Sequence, residues 1–165
     1  MKKLLVLLFS ILISFNSWGE TICVETDTQV RDGIIYLTTS DGVEPFTGKD
    51  VCKYENGQKK AEVNFKDGKQ DGKLTEWHEN GQKKSESSYK DDNLISKTDY
   101  YYYENGQIRT EENYKYGNKD GKETWWHENG QKKEEGDFIN DIKEGIWTWW
   151  HENGQKKEEG DFIND

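Results

Sequence analysis

Three histidines, His78, His127 and His151, each stand directly before a glutamate, and imidazole beside carboxylate is a pairing that can hold zinc or move protons. The carboxylates Glu134, Glu135, Glu158 and Glu159 recur beside Lys132-Lys133 and Lys156-Lys157, and the chain has two cysteines, Cys23 and Cys52. Spacing decides what these groups can do. The histidines occupy the same place in successive copies of a repeating unit, and equivalent residues of neighbouring two-stranded units lie about 9.6 Å apart, twice the strand spacing. Zinc ligands sit about 2 Å from the metal, so the three cannot share one ion. Tyr54 and Tyr103 take the histidine's place in the other copies, which fits a packing column better than a catalytic role. Repetition likewise spreads the carboxylates over solvated strands instead of gathering them in one pocket. No Gly-rich phosphate loop, G-x-S-x-G elbow or H-E-x-x-H motif occurs. The expectation is a chain with no catalytic residues, no metal site and no cofactor, and not an enzyme.

The repeating unit is marked by the tetrapeptide Glu-Asn-Gly-Gln, which begins at Glu55, Glu79, Glu104, Glu128 and Glu152. Successive copies start 24, 25, 24 and 24 residues apart, a period that signals a stacked repeat architecture. Asn-Gly between strand-like residues is a strong hairpin signal, because a type I′ turn needs positive φ at both central positions. The pairs Asn56-Gly57, Asn80-Gly81, Asn105-Gly106, Asn129-Gly130 and Asn153-Gly154 are therefore expected to be two-residue hairpin tips. That choice fixes a register: Trp77 faces Lys84, Thr75 faces Glu86 and Gly72 faces Tyr89. The same arithmetic sets Gly48 against Phe65, Gly121 against Phe138 and Gly145 against Phe162, which suggests an aromatic ring laid over each glycine. In the third repeat Lys97 stands at the glycine position opposite Tyr114, and that repeat carries the extra residue, so a bulge or a looser hairpin is expected there. Segments such as Lys66–Gly72, Lys115–Gly121 and Asn140–Gly145 read as longer return loops.

The fold class that follows is all-β: an elongated antiparallel β-meander of stacked hairpins, a single twisted, solenoid-like sheet. Residues 1–19 read as a signal peptide, with Lys2 and Lys3 before an apolar run from Leu4 to Phe15 and small residues near Gly19. About 20 apolar residues are needed to span a bilayer, and this run is shorter. Residues 20–47 read as an N-terminal β cap, and 48–165 as five repeats: 48–71, 72–96, 97–120, 121–144 and 145–165. Export, to a periplasm, cell envelope or extracellular space, is the expected localisation. In such a compartment Cys23 and Cys52 are candidates for a disulfide, worth about 3.6 kcal/mol in the chain-entropy model, the alternative being two unpaired cysteines with Cys52 filling a strand position.

Acidic residues number 33 against 23 basic, a formal net charge of −10, which disfavours nucleic acid and anionic membrane surfaces as partners. Apolar residues are only 31% of the chain, so the core must be thin, yet there are seven tryptophans, nine tyrosines and six phenylalanines. Strand alternation places Trp77, Tyr102, Trp126 and Trp150 on one face of the sheet and Trp125, Trp149 and Tyr101 on the other. At least one column must stack as core, and an open one is a binding surface. These six residues, Trp77, Tyr102, Trp126, Trp150, Trp125 and Trp149, are the candidate binding residues. After Gly145 to Phe162 the sequence ends where another hairpin would follow, so edge-to-edge self-association is a further expectation.

The units Gly-Lys-x-Thr-x-Trp-His-Glu-Asn-Gly-Gln-Lys-Lys, with Phe or Tyr seven residues later, resemble the variant MORN repeat of bacteria, as does the lead-in Pro45-Phe46-Thr47-Gly48. The resemblance covers residues 45–165. It implies a non-enzymatic binding protein, since bacterial proteins of this kind are commonly labelled as antitoxins, and the wider family is linked to scaffolding and membrane association. A protein partner of toxin or effector type is thus the leading expectation. The alternatives are a structural envelope scaffold or spacer, whose rings serve only as core, and a carbohydrate-binding aromatic sheet.

Overall fold

The computed structural model describes residues 28–39 and 41–163; the expected signal segment and Cys23 lie outside the described residues. Every regular element among them is a strand. β1 (Thr28–Arg31), β2 (Ile34–Thr39) and β3 (Gly42–Pro45) form a small sheet in chain order. The main sheet has eleven strands: β4 (Gly48–Lys53), β5 (Lys59–Lys66), β6 (Lys69–Trp77), β7 (Lys83–Lys90), β8 (Asn93–Tyr102), β9 (Ile108–Lys115), β10 (Asn118–Lys119), β11 (Gly121–Trp126), β12 (Lys132–Ile139), β13 (Ile142–Trp150) and β14 (Lys156–Phe162). They pair antiparallel in chain order, with the two-residue β10 set against β9. This is an all-β meander of stacked hairpins.

The two kinds of turn are exchanged relative to expectation. At the second tip the His78 N–H donates to the Gln82 carbonyl and the Gly81 N–H to the His78 carbonyl, and only Gly81 has positive φ. The tip is a three-residue loop, Glu79-Asn80-Gly81, built on a type I turn with glycine in the left-handed position, not a two-residue type I′ turn. All five tips share this bonding. The register then pairs Trp77 with Lys83, not Lys84, while Glu76 still pairs with Ser85, so Lys84 is the extra residue of a bulge. Lys60, Arg109, Lys133 and Lys157 occupy the same bulge in the other hairpins. The longer loop and the bulge cancel, which is why Gly72 does face Tyr89 and Gly121 does face Phe138.

The return connections are the tight ones. Asp67-Gly68, Asp91-Asp92, Tyr116-Gly117 and Asn140-Asp141 are two-residue turns with positive φ at both positions, the type I′ geometry. Each docks on the preceding repeat. Asp92 donates its N–H to the Gln70 carbonyl and accepts the Gln70 N–H on Oδ1, and Asp141 does the same with Lys119.

The expected cross-strand rings, Phe65, Tyr89, Phe138 and Phe162, do not lie over the repeat glycines; the one ring found against such a glycine is Phe46 at Gly48. A Cβ at Gly48 would meet Phe46, at Gly72 Asn64 and at Gly121 Asn113, and at Gly145 nothing lies within reach, whereas φ at Gly72 and Gly121 is +104°. At Gly72 and Gly121 backbone conformation, not ring packing, requires glycine. Lys97 does not have positive φ, so β8 runs ten residues without that kink. On its pairing with β7 only Ile95 is left over where other repeats leave two extra residues, and Ser85 pairs with Asp99, two residues from the place that the pairs Ala61 with Glu76 and Thr110 with Trp125 set in the other repeats.

Among the described residues a compact aliphatic and aromatic core sits at the N-terminal end, where Ile35 of β2 packs with Val63, Phe65, Phe46 and Leu74. The small sheet is fastened there by backbone bonds from Ile35 to Gly68 (2.9 Å), Phe46 to Ile35 (2.8 Å) and Gly68 to Phe46 (2.8 Å). Cys52 is buried on β4 and is not a free thiol; its expected partner, Cys23, lies outside the described residues.

Candidate functional site

Beyond that core, the sheet from β6 onward has no helix or second sheet laid against it among the described residues. The register sorts its side chains into two faces. On the first, Trp77, Tyr100, Tyr102, Trp126 and Trp150 are half-buried. They alternate with carboxylates held by lysine: Glu62 with Lys49 (2.7 Å) and Lys59 (2.6 Å), Glu86 with Lys73 and Lys83, Glu135 with Lys122 (3.3 Å) and Lys132, and Glu159 with Lys156. The two lysine bonds hold the Glu62 carboxyl below its ordinary range. At Glu86 and Glu135 partial burial pushes the other way, and the lysines outweigh it. Lysine ammoniums also stand over rings on this face, Lys59 at 5.4 Å from Trp77 and Lys132 at 5.7 Å from Trp150. Burial, with Glu86 and Glu111 nearby, pushes the Tyr100 hydroxyl up to about 12.

The second face carries Trp125 and Trp149, half-buried, and Tyr101, 40% exposed. The Trp125 Nε1–H donates to Glu123 (2.7 Å), which is buried and also paired with Lys119; Lys119 lies 3.5 Å from Glu112 as well. Burial alone would lower the Lys119 pKa, but the two carboxylates raise it. Trp147 is fully buried, 0% exposed, and its indole lies directly on Gly136. Phe138 meets it edge-on at 5.2 Å, Phe162 lies at 6.1 Å, and the Lys143 ammonium sits 3.6 Å above its ring. Sequence reasoning missed Trp147 and these ion pairs. The signal for Trp147 was present, since it shares a face with Trp149 and the register puts it between Gly136 and Gly160.

The histidine column ties repeats together. The Tyr54 and Tyr103 hydroxyls donate to the carbonyls of Trp77 and Trp126 (2.7 Å each), and His127 Nε2 does the same to Trp150 (3.0 Å). Asn56, Asn105 and Asn129 likewise donate from Nδ2 to the glutamate carbonyl of the next tip, at 3.1, 3.0 and 2.6 Å. The Glu-Asn-Gly-Gln tips thus form a ladder along one edge. Among the described residues no group of three or more His, Cys, Asp or Glu is placed to hold a metal ion.

The structure therefore divides the six candidate residues between opposite faces, Trp77, Tyr102, Trp126 and Trp150 on the first, Trp125 and Trp149 on the second. It also opens a groove of about 640 Å³ between the second and third tips, lined by His78, Lys84, Lys97, Asp99, Tyr101 and Arg109 among others.

The family model of the MORN repeat variant matches residues 51–67, 70–91, 100–116, 119–140 and 143–164, well over half of the chain. The chain belongs to this MORN repeat family. Each match spans one Glu-Asn-Gly-Gln tip with strand residues on both sides of it, so the family's unit corresponds to the hairpin described above. MORN repeats generally serve as modules that interact with proteins or membranes. No curated protein matches this MORN-repeat chain.

Proposed function

We propose that this MORN-repeat protein is a non-enzymatic interaction module that binds a protein partner across its sheet. The observation that carries the reading is the first face: five half-buried rings, Trp77, Tyr100, Tyr102, Trp126 and Trp150, in a row with ion-paired carboxylates and no covering layer among the described residues. Rigid aromatic anchors framed by charge are what a partner's hot spots require. The net charge of −10 favours a basic protein over nucleic acid or an anionic bilayer, and speeds its encounter. Neutralisation of a toxin or effector after export is the specific form we favour.

The test is a pull-down with residues 20–165 from envelope and secreted fractions at moderate salt, read by mass spectrometry. One stoichiometric partner is expected, and its binding should fall at least tenfold in a folded Trp126→Ala, Trp150→Ala double variant. Recovery of the protein alone would favour a second reading, a structural spacer, which has its own support in the hydroxyl and amide bonds that run from repeat to repeat.

A further inference from the structure

Four of the five central glutamates on the first face have a lysine partner within the chain, and one does not. The lysines come from two fixed places: three residues earlier on the same strand, as Lys59, Lys83, Lys132 and Lys156, and diagonally across the hairpin, as Lys49, Lys73 and Lys122. In repeat three the equivalent carboxylate is Glu111, which the register sets between Tyr100 of β8 and Thr124 of β11. Its two lysine places hold Ile108 and Thr98, and the Thr98 hydroxyl is engaged by Asn113 at 2.6 Å. Among the described residues no lysine or arginine forms an ion pair with Glu111.

The same repeat also changes the ring content around that carboxylate. The place of Tyr100 is taken by Val51, Thr75, Thr124 and Thr148 in the other repeats, so the carboxylate that has lost its lysines has gained a ring directly beside it. Tyr102 on β8 and Trp126 on β11 frame it further along the same face, and all three rings are half-buried. A partly buried carboxylate without a counterion, in a protein of net charge −10, attracts a cation from outside. The Tyr102 and Trp126 faces add a cation–π contribution, while Tyr100, whose ring already has the Lys83 ammonium 5.4 Å from its centre, supplies the apolar wall beside the carboxylate. A divalent metal fits poorly, because it asks for several oxygen ligands and Glu111 stands alone.

We propose that Glu111, framed by Tyr100, Tyr102 and Trp126, is the seat for a lysine or arginine side chain of the protein partner. The incoming cation takes the place that the chain's own lysines hold in repeats one, two and four. This rests on the interaction reading above and names the chemistry of the partner that reading leaves general.

The probe is pentalysine, titrated into the full chain at low and moderate ionic strength and followed by calorimetry and indole fluorescence. The wild type should bind, and Glu111→Gln should weaken binding about tenfold. Thr98→Lys with Ile108→Lys, which restores the repeat's own pair, should weaken it as much while leaving the unfolding midpoint unchanged or higher. Glu128→Gln removes the same charge from an exposed tip and should change affinity less than twofold. No binding by the wild type, equal losses in Glu111→Gln and Glu128→Gln, or undiminished binding by the lysine double variant would each overturn the seat. A partner captured equally by wild type and Glu111→Gln also overturns it while leaving the interaction module standing. Intact pentalysine binding with no captured partner counts against the module instead.

Discussion

Gly136 has an extended backbone, with no positive φ to call for glycine, so its missing side chain has a different cause: the Trp147 indole lies where a Cβ would go. The obstacle is the rigid indole itself, met at ring atoms near its attachment and not at the end of a flexible chain, and Trp147 is held in place by Phe138, Trp149 and Phe162. Gly136→Ala is therefore expected to lower stability by about 2 kcal/mol through overpacking. In a Trp147→Leu background the same substitution should cost clearly less, because the clash partner has gone. Urea unfolding of the four proteins of this cycle measures the coupling. Additive effects would show that the indole and the glycine do not constrain each other.

Strand order, hairpin count and the far register of each hairpin were legible in the sequence because a 24-residue period and a glycine-bearing tip leave little freedom. Turn type was not. Asn-Gly suits a type I′ pair, but it equally suits a three-residue loop in which only the glycine is left-handed, and a bulge at the second basic residue hides the difference further along the strand. The type I′ turns fell instead on pairs such as Asn140-Asp141, whose second residue is not glycine. There the carboxylate earns its place by accepting the Lys119 N–H at 2.7 Å. Asp141→Asn keeps that acceptor and tolerates the left-handed backbone, so its stability should stay within about 0.5 kcal/mol of wild type. Asp141→Ala loses both and should cost about 2 kcal/mol. Thermal unfolding of the two variants separates them. The aromatic rows were legible by alternation, while the clamps on Glu62, Glu86 and Glu135 depend on diagonal neighbours that a single strand's pattern does not display.

Across the whole molecule these clamps make the array sensitive to acid in a repeat-by-repeat way. Glu62, Glu86 and Glu135 all have carboxyls held below the ordinary value of 4.5. A group with a lowered folded pKa contributes stability that is present above its unfolded value and disappears as pH falls through the folded one. Urea stability should accordingly hold from neutrality down to about pH 5 and then decline steadily below 4.5. Because a repeat touches only its neighbours, the contributions are separable. Replacing Lys122 and Lys132 by Met frees Glu135 alone, so the acid decline should become shallower, and amide exchange at pH 4 should change in β11 to β13 while β5 to β7 keep their wild-type protection. Uniform loss of protection from β5 to β14 would mean that the sheet unfolds as one unit. The clamp on one repeat would then be felt by all of them.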